Sequence, residues 1–213
     1  MSHSIIKHHW FIWLFAMLFV VEFTLLAINP ASRSVWFLEN LLVFVFVLLV
    51  IKYHRRLCFS EPAWLMILVF LMFHELGVYY TYSHVPYQQW SAAIFSDDIV
   101  RSAAWQRNHY DRWVHFLFGL LIVLPVRELC VQISQSHSSW TSFVAFNVIV
   151  AVSALYELLE WAVAIVFGGE LGVEYIGIQG DVWDSHKDLF MAVTGALLTL
   201  LVRFMIRVIG QTR

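Results

Sequence analysis

Apolar residues run almost unbroken over six stretches of the chain, at positions 10–28, 35–51, 63–82, 113–131, 141–167 and 188–209. Each run is near the roughly 20 residues that an α-helix needs to cross the hydrocarbon core of a bilayer. The pattern therefore predicts an all-α fold, a polytopic membrane bundle of about six transmembrane helices. Helix-stopping chemistry sits between the runs. Asn29 and Pro30 close the first, Ser60, Glu61 and Pro62 open the third with proline at an early helical position, Gly168 and Gly169 close the fifth, and Gly210 ends the sixth. Pro125 falls late in the fourth run, where a membrane helix tolerates it if neighbours satisfy the freed backbone groups. Residues 83–111, between the third and fourth runs, are too many for a turn. They carry Trp90, Trp105 and a helix-start signal at Ser96, Asp97 and Asp98, so a short interfacial segment is expected there.

Composition agrees with lipid as the solvent. Of 213 residues, 61% are hydrophobic and only 13% charged, with a mean hydropathy of +0.73, which leaves one membrane domain over 1–213 and few residues for a soluble one. A net charge of -2 gives no basic surface for nucleic acid, which is excluded as a partner. The first run follows Lys7, but it is longer than a signal-peptide core, contains Glu22 and lacks a small-x-small cleavage site, so it is expected to be a retained helix. With a cytoplasmic N-terminus the inner segments hold eight Lys and Arg and the outer ones five. This distribution predicts both termini in the cytoplasm. Cys58 and Cys130 then fall beside cytoplasmic loops, and no disulfide is expected.

Ionisable residues inside the runs change the picture most. A charged group at the centre of a membrane helix costs about 3 kcal/mol on insertion scales, so such residues face a bundle interior, a cavity or each other. Here they are many: Glu22, Glu39, His74 and Glu75, then His109, Asp111, Arg112 and His115, beside the polar Asn108, entering the fourth run, Glu157 and Glu160 in the fifth, and Asp181, Asp184 and Asp188 entering the sixth. Asp111 and His115 are four apart, Glu157 and Glu160 three apart, and Asp181, Asp184 and Asp188 step by three and then four, which sets each of these sets on one face of its helix. Gly119 and Gly195 extend two of these faces with residues small enough for close helix approach. Because the fourth and sixth runs enter from the same side on which the third and fifth leave, the groups converge at one depth.

Eight of these acids (Glu22, Glu75, Asp111, Glu157, Glu160, Asp181, Asp184 and Asp188) face only three nearby permanent cations, Arg107, Arg112 and Lys187. A buried site cannot keep so many like charges ionised unless it is hydrated, holds protons or binds cations. Carboxylates with histidine suit a divalent metal such as Mg, Mn, Fe or Zn. On that reading His74, Asp111, His115, Asp181, Asp184 and Asp188 are metal ligands, Glu157 or Glu160 is a general base, and Arg107, Arg112 and Asn108 bind the substrate, a lipid or another small molecule. The chemistry would be hydrolysis or group transfer. Two other readings stay open: a transporter coupled to protons or cations, and a polar network that only holds helices together, with Asp111, Asp184 and Asp188 in ion pairs. His3, His8 and His9 read as a solvated terminal cluster, and His54, His84, His137 and His186 as loop residues. No nucleophile elbow, phosphate-binding loop or HExxH motif is present.

Several strings of the sequence are long and distinctive: YTYSHVPY over 80–87, RNHYDRWVHF over 107–116, GDVWDSHKDLFMA over 180–192, LENLL over 38–42 and YELLEW over 156–161. On these the chain resembles the YjdF-type bacterial inner-membrane proteins, a family of unknown function. The resemblance implies a multi-helix protein of the bacterial inner membrane and supplies no reaction.

Overall fold

The computed structural model describes residues 10–53, 55–92, 107–136, 138–176 and 179–211. His3, His8, His9, His54, His137, Trp105 and the helix-start signal at residues 96–98 lie outside the described residues. Among those described, every regular element is a helix: α1 Trp10–Leu26, α2 Arg33–Tyr53, α3 Glu61–Tyr79, α4 Tyr87–Ala92, α5 Tyr110–Ser134, α6 Ser139–Phe167, α7 Gly169–Ile176 and α8 Asp184–Gln211. Five of them (α2, α3, α5, α6 and α8) are long and apolar enough to cross a membrane. α1 is apolar throughout but has 17 residues. Large apolar side chains such as Phe190, Phe204 and Ile206 face outward along α8, as lipid solvation allows.

Local chemistry explains the ends. Arg33 closes α1 by donating Nη1 to the Ala27 carbonyl at 2.6 Å and Nη2 to that of Ile28 at 2.9 Å, satisfying carbonyls the helix leaves unpaired. Ser60 caps α3, its hydroxyl accepting from the Ala63 N–H, with proline in the first turn as expected. Glu128 of α5 accepts from both the Ser60 N–H, at 2.8 Å, and its hydroxyl, at 2.6 Å, tying that end of the bundle together. α3 stops at Tyr79, earlier than its apolar run, because Thr81 and Tyr82 take left-handed backbone at φ +53. The Tyr82 N–H returns to the Gly77 carbonyl at 2.7 Å, and its ring lies on Gly77, where any Cβ would collide with it. After Gly168, at φ +57, the chain turns into the short α7, which the apolar pattern does not foreshadow. The six-residue α4 lies in the segment where interfacial structure is expected, with Trp90 half exposed.

The centre of the fold is the pair α5 and α8, which run parallel. A Cβ on Gly119 would overlap the Ala192 carbonyl oxygen, and one on Gly195 would overlap that of Phe116, so the two backbones touch with nothing between them. Thr199 adds a hydrogen bond to the Leu120 carbonyl at 2.7 Å. Val123, Ala145, Ile149 and Ala196 are fully buried and join α6 to this pair. α3 packs on the opposite side of α5, α1 packs on α3, and α2 rests mainly against α3 and α7.

Adding a methyl at this seam should therefore force the helices apart. Gly195→Ala and Gly119→Ala are each expected to destabilise the protein by about 1–3 kcal/mol, as overpacking does. Gly210→Ala, whose added carbon meets nothing within 4 Å, should be neutral. Thermal unfolding of the purified variants in detergent measures the difference.

Candidate functional site

The close approach of α5 and α8 brings the first turns of both helices, each carrying acids, to one end of the bundle. The charged residues there divide into two layers. In the outer layer, Asp181 and Asp184 meet the cations. Arg107 bonds Asp184 Oδ1 and stands 3.7 Å from Asp181 Oδ2. Arg112 Nη2 donates to Asp181 Oδ2 at 2.6 Å and lies 3.2 Å from Asp184 Oδ1, while Lys187 Nζ reaches Asp181 Oδ2 at 2.6 Å. The Lys187 bond, the Trp183 N–H and Arg112 together hold the Asp181 carboxyl well below the usual carboxylate range. Asn108 ties this layer to the loops: its Nδ2 donates to the Val85 carbonyl at 2.8 Å, its Oδ1 accepts from the Tyr110 N–H, and its backbone exchanges hydrogen bonds with the Gln179 amide.

The inner layer holds Asp111, His115, Glu157, Glu160 and Asp188. His115 Nε2 lies between two carboxylates, 3.6 Å from Asp111 Oδ1 and 3.4 Å from Glu157 Oε1. Ser185 of α8 and Glu160, on α6 like Glu157 itself, both neighbour Glu157. Among the described residues no Lys or Arg makes an ion pair with Asp111, Glu157 or Glu160. Asp188, only 2% exposed, is 3.9 Å from Arg112 Nε, and its Oδ1 has no hydrogen-bond partner among the described residues. Oxygens of Asp111, Asp184 and Asp188 lie within 4.8 Å of one another. Two ligands on opposite sides of an ion at about 2.1–2.4 Å stand about 4.2–4.8 Å apart, so this trio fits one divalent cation. An uncompensated buried carboxylate is expensive, and an ion or a proton at this point would offset that cost.

The trio contains three of the six sequence-derived ligands. His115 lies beside Asp111 in the same layer, Asp181 sits among the cations, and His74 lies on α3, across an adjoining cavity, where its Nδ1 pairs with the Tyr82 hydroxyl at 2.6 Å. That cavity, of about 570 Å³, is the second part of the site. Its polar end is formed by Glu39, His74, Tyr82, Asp111, His115 and Tyr156. Beyond Ser153 the walls are apolar, with Phe46 and Leu49 of α2, Phe59, Phe70 of α3, and Ile122 and Leu129 of α5. Glu39 is 3% exposed and accepts a hydrogen bond from Tyr156, 117 positions away, whose ring stands edge-on to His115.

Tyr156, Tyr82 and Ser185 were not singled out by the sequence. Tyr156 and Tyr82 stand inside two of its distinctive strings, but a tyrosine in a membrane protein reads first as an interfacial anchor, and only three-dimensional neighbours reveal these roles.

The sequence profile of the family described as "Predicted membrane protein (DUF2238)" matches residues 11–208. The "Inner membrane protein YjdF" of Escherichia coli (strain K12) is 31% identical over 179 residues, which are 82% of this chain and 79% of that relative. No solved structure matches the chain.

The layered arrangement predicts unequal costs for removing cations. Arg112→Leu leaves buried Asp188 without its cation and Asp184 with Arg107 alone, and breaking a buried pair costs about 3–5 kcal/mol. Lys187→Leu removes a half-exposed group and should cost no more than about 1 kcal/mol. Unfolding midpoints of the two variants test this order.

Proposed function

The chain belongs to the DUF2238 family of predicted membrane proteins, and on that premise we propose that it is a membrane-embedded enzyme performing divalent-metal-assisted hydrolysis or group transfer on a lipid or lipid-linked substrate. The observation that carries this reading is the meeting of a cation-poor acid and imidazole layer with an apolar cavity, so that reactive groups stand where a hydrocarbon chain would present its polar end. Asp111, Asp184 and Asp188 would hold the ion. When bound, it supplies Lewis acidity toward a carbonyl or phosphoryl oxygen. Glu157, beside His115 and without a Lys or Arg ion pair among the described residues, would accept a proton from water, with Glu160 next to it in reserve. Arg107 and Arg112 stand one layer above and suit an anionic headgroup.

The apolar walls beyond Ser153 favour this reading over a cation- or proton-coupled transporter, which needs polar groups deeper in the bilayer. Residence in a bacterial inner membrane, with cytoplasmic termini and the site under the periplasmic leaflet, belongs to the same proposal. It is supported by the Lys and Arg distribution and by the Escherichia coli relative.

Metal content tests the proposal. After incubation with Mg, Mn, Fe or Zn and removal of excess, folded wild-type protein should retain about one ion per chain, and Asp188→Asn should bind it at least about tenfold more weakly, as loss of a ligand or its support does. Folded wild type that retains no ion under any of these conditions contradicts the proposal.

A further inference from the structure

We infer that the apolar cavity is an acyl-chain channel, entered sideways from the bilayer between α2 and α6, and that its occupant is a glycerophospholipid whose ester linkage comes to rest against Asp111 and His115. The inference deepens the lipid-directed reading and rests on it for the chemistry that binding would lead to. The channel's own evidence is separate.

Its size suits an acyl chain, since about 570 Å³ lies well inside the range of roughly 300–1,000 Å³ typical of small-molecule sites. From Phe118 to Leu129 the α5 wall rises roughly 17 Å at 1.5 Å per residue. That is a little more than half of the ~30 Å hydrocarbon core, the reach of one leaflet's chains. The mouth is equally visible. Leu42, Val45 and Leu49 of α2 and Val152 of α6 line the cavity and are still 44–49% exposed on the bundle's flank, so the cavity is continuous with the space that lipid tails occupy. α2 leans mainly on α3 and α7, which leaves its side toward α5 and α6 open.

The polar end selects among amphiphiles. A free fatty acid would add one more carboxyl group beside Glu39 and Asp111, enlarging a buried acid cluster that is already costly. A glycerophospholipid passes an uncharged ester through that level and carries its phosphate up to Arg107, Arg112 and Lys187 in the outer layer. The Tyr156 and Tyr82 hydroxyls and the imidazoles of His74 and His115 ring the ester's position with hydrogen-bonding groups.

The test is photolabelling of the full chain, reconstituted in vesicles of phosphatidylethanolamine and phosphatidylglycerol, with phosphatidylglycerol bearing a diazirine in its acyl chain. Label should concentrate in peptides covering residues 42–49 and 118–129 rather than on the exposed flank of α8 at 201–209. Ile122→Trp, which fills the channel, should cut that labelling by about tenfold. Leu198→Trp, on the outer face of α8, should leave it unchanged. If Ile122→Trp does not fold, Val45→Trp at the mouth serves the same purpose. Folded wild-type protein that labels in the channel but retains no metal ion overturns the metal reading alone and leaves the channel standing. Labelling no denser in the channel than on α8, labelling unaffected by the folded channel variant, or labelling obtained only with a diazirine fatty acid would each overturn the inference.

Discussion

Backbone contact between α5 and α8 at Gly119 and Gly195 is the constraint on which the rest of the structure depends. Two helices that enter from the same side can bring their first turns together only if nothing larger than hydrogen separates them a few turns down. The glycines meet that demand. Packing of this kind has no hydrophobic driving force in lipid, since lipid tails are as apolar as the side chains, so close van der Waals contact supplies the attraction. The result is that Asp111, Asp184 and Asp188, each on the first turns of its helix, share one small volume.

What that convergence costs is resolved by layering. The outer acids, Asp181 and Asp184, are answered by Arg107, Arg112 and Lys187, and these pairs fix the register of α8 against α5 in the manner of an ordinary structural network. Among the described residues the inner acids Asp111, Glu157 and Glu160 have no such pair: they meet imidazole, hydroxyl and one another, and Asp111 and His115 border the cavity. A network serving helix association alone would gain nothing from placing its unpaired members at the end of an apolar cavity. This asymmetry, more than the number of acids, is the support for the proposed site.

Much of this was legible in the sequence. Run lengths foretold an all-helical membrane fold, of which five helices are long enough to span and α1 is shorter, and the three- and four-residue spacing of Asp111 and His115, of Glu157 and Glu160, and of Asp181, Asp184 and Asp188 placed each set on one face. The close approach at Gly119 and Gly195 was visible in the same stripes. What was not legible depends on contacts distant in the chain. The Glu39–Tyr156 bond spans 117 positions, and no local pattern links the two. The turn that aims Tyr82 back at His74 requires left-handed backbone at two residues that are not glycine, a conformation their side chains do not announce. The division of the acids into paired and unpaired layers was also hidden. Spacing alone cannot tell which carboxylate the guanidinium groups reach, and a cavity leaves no motif at all.

Asp111 and Asp188 must meet from separate helices for any of this chemistry to be possible. In a background with Cys58 and Cys130 replaced by serine, the pair Asp111→Cys and Asp188→Cys in native membranes should bridge through a single mercuric ion or a short bifunctional reagent in most molecules, while Asp111→Cys paired with Leu198→Cys should not. Failure of the first pair to bridge in folded protein, with both thiols shown to react singly, would mean that the acids do not share a pocket and would contradict the proposed site at its root.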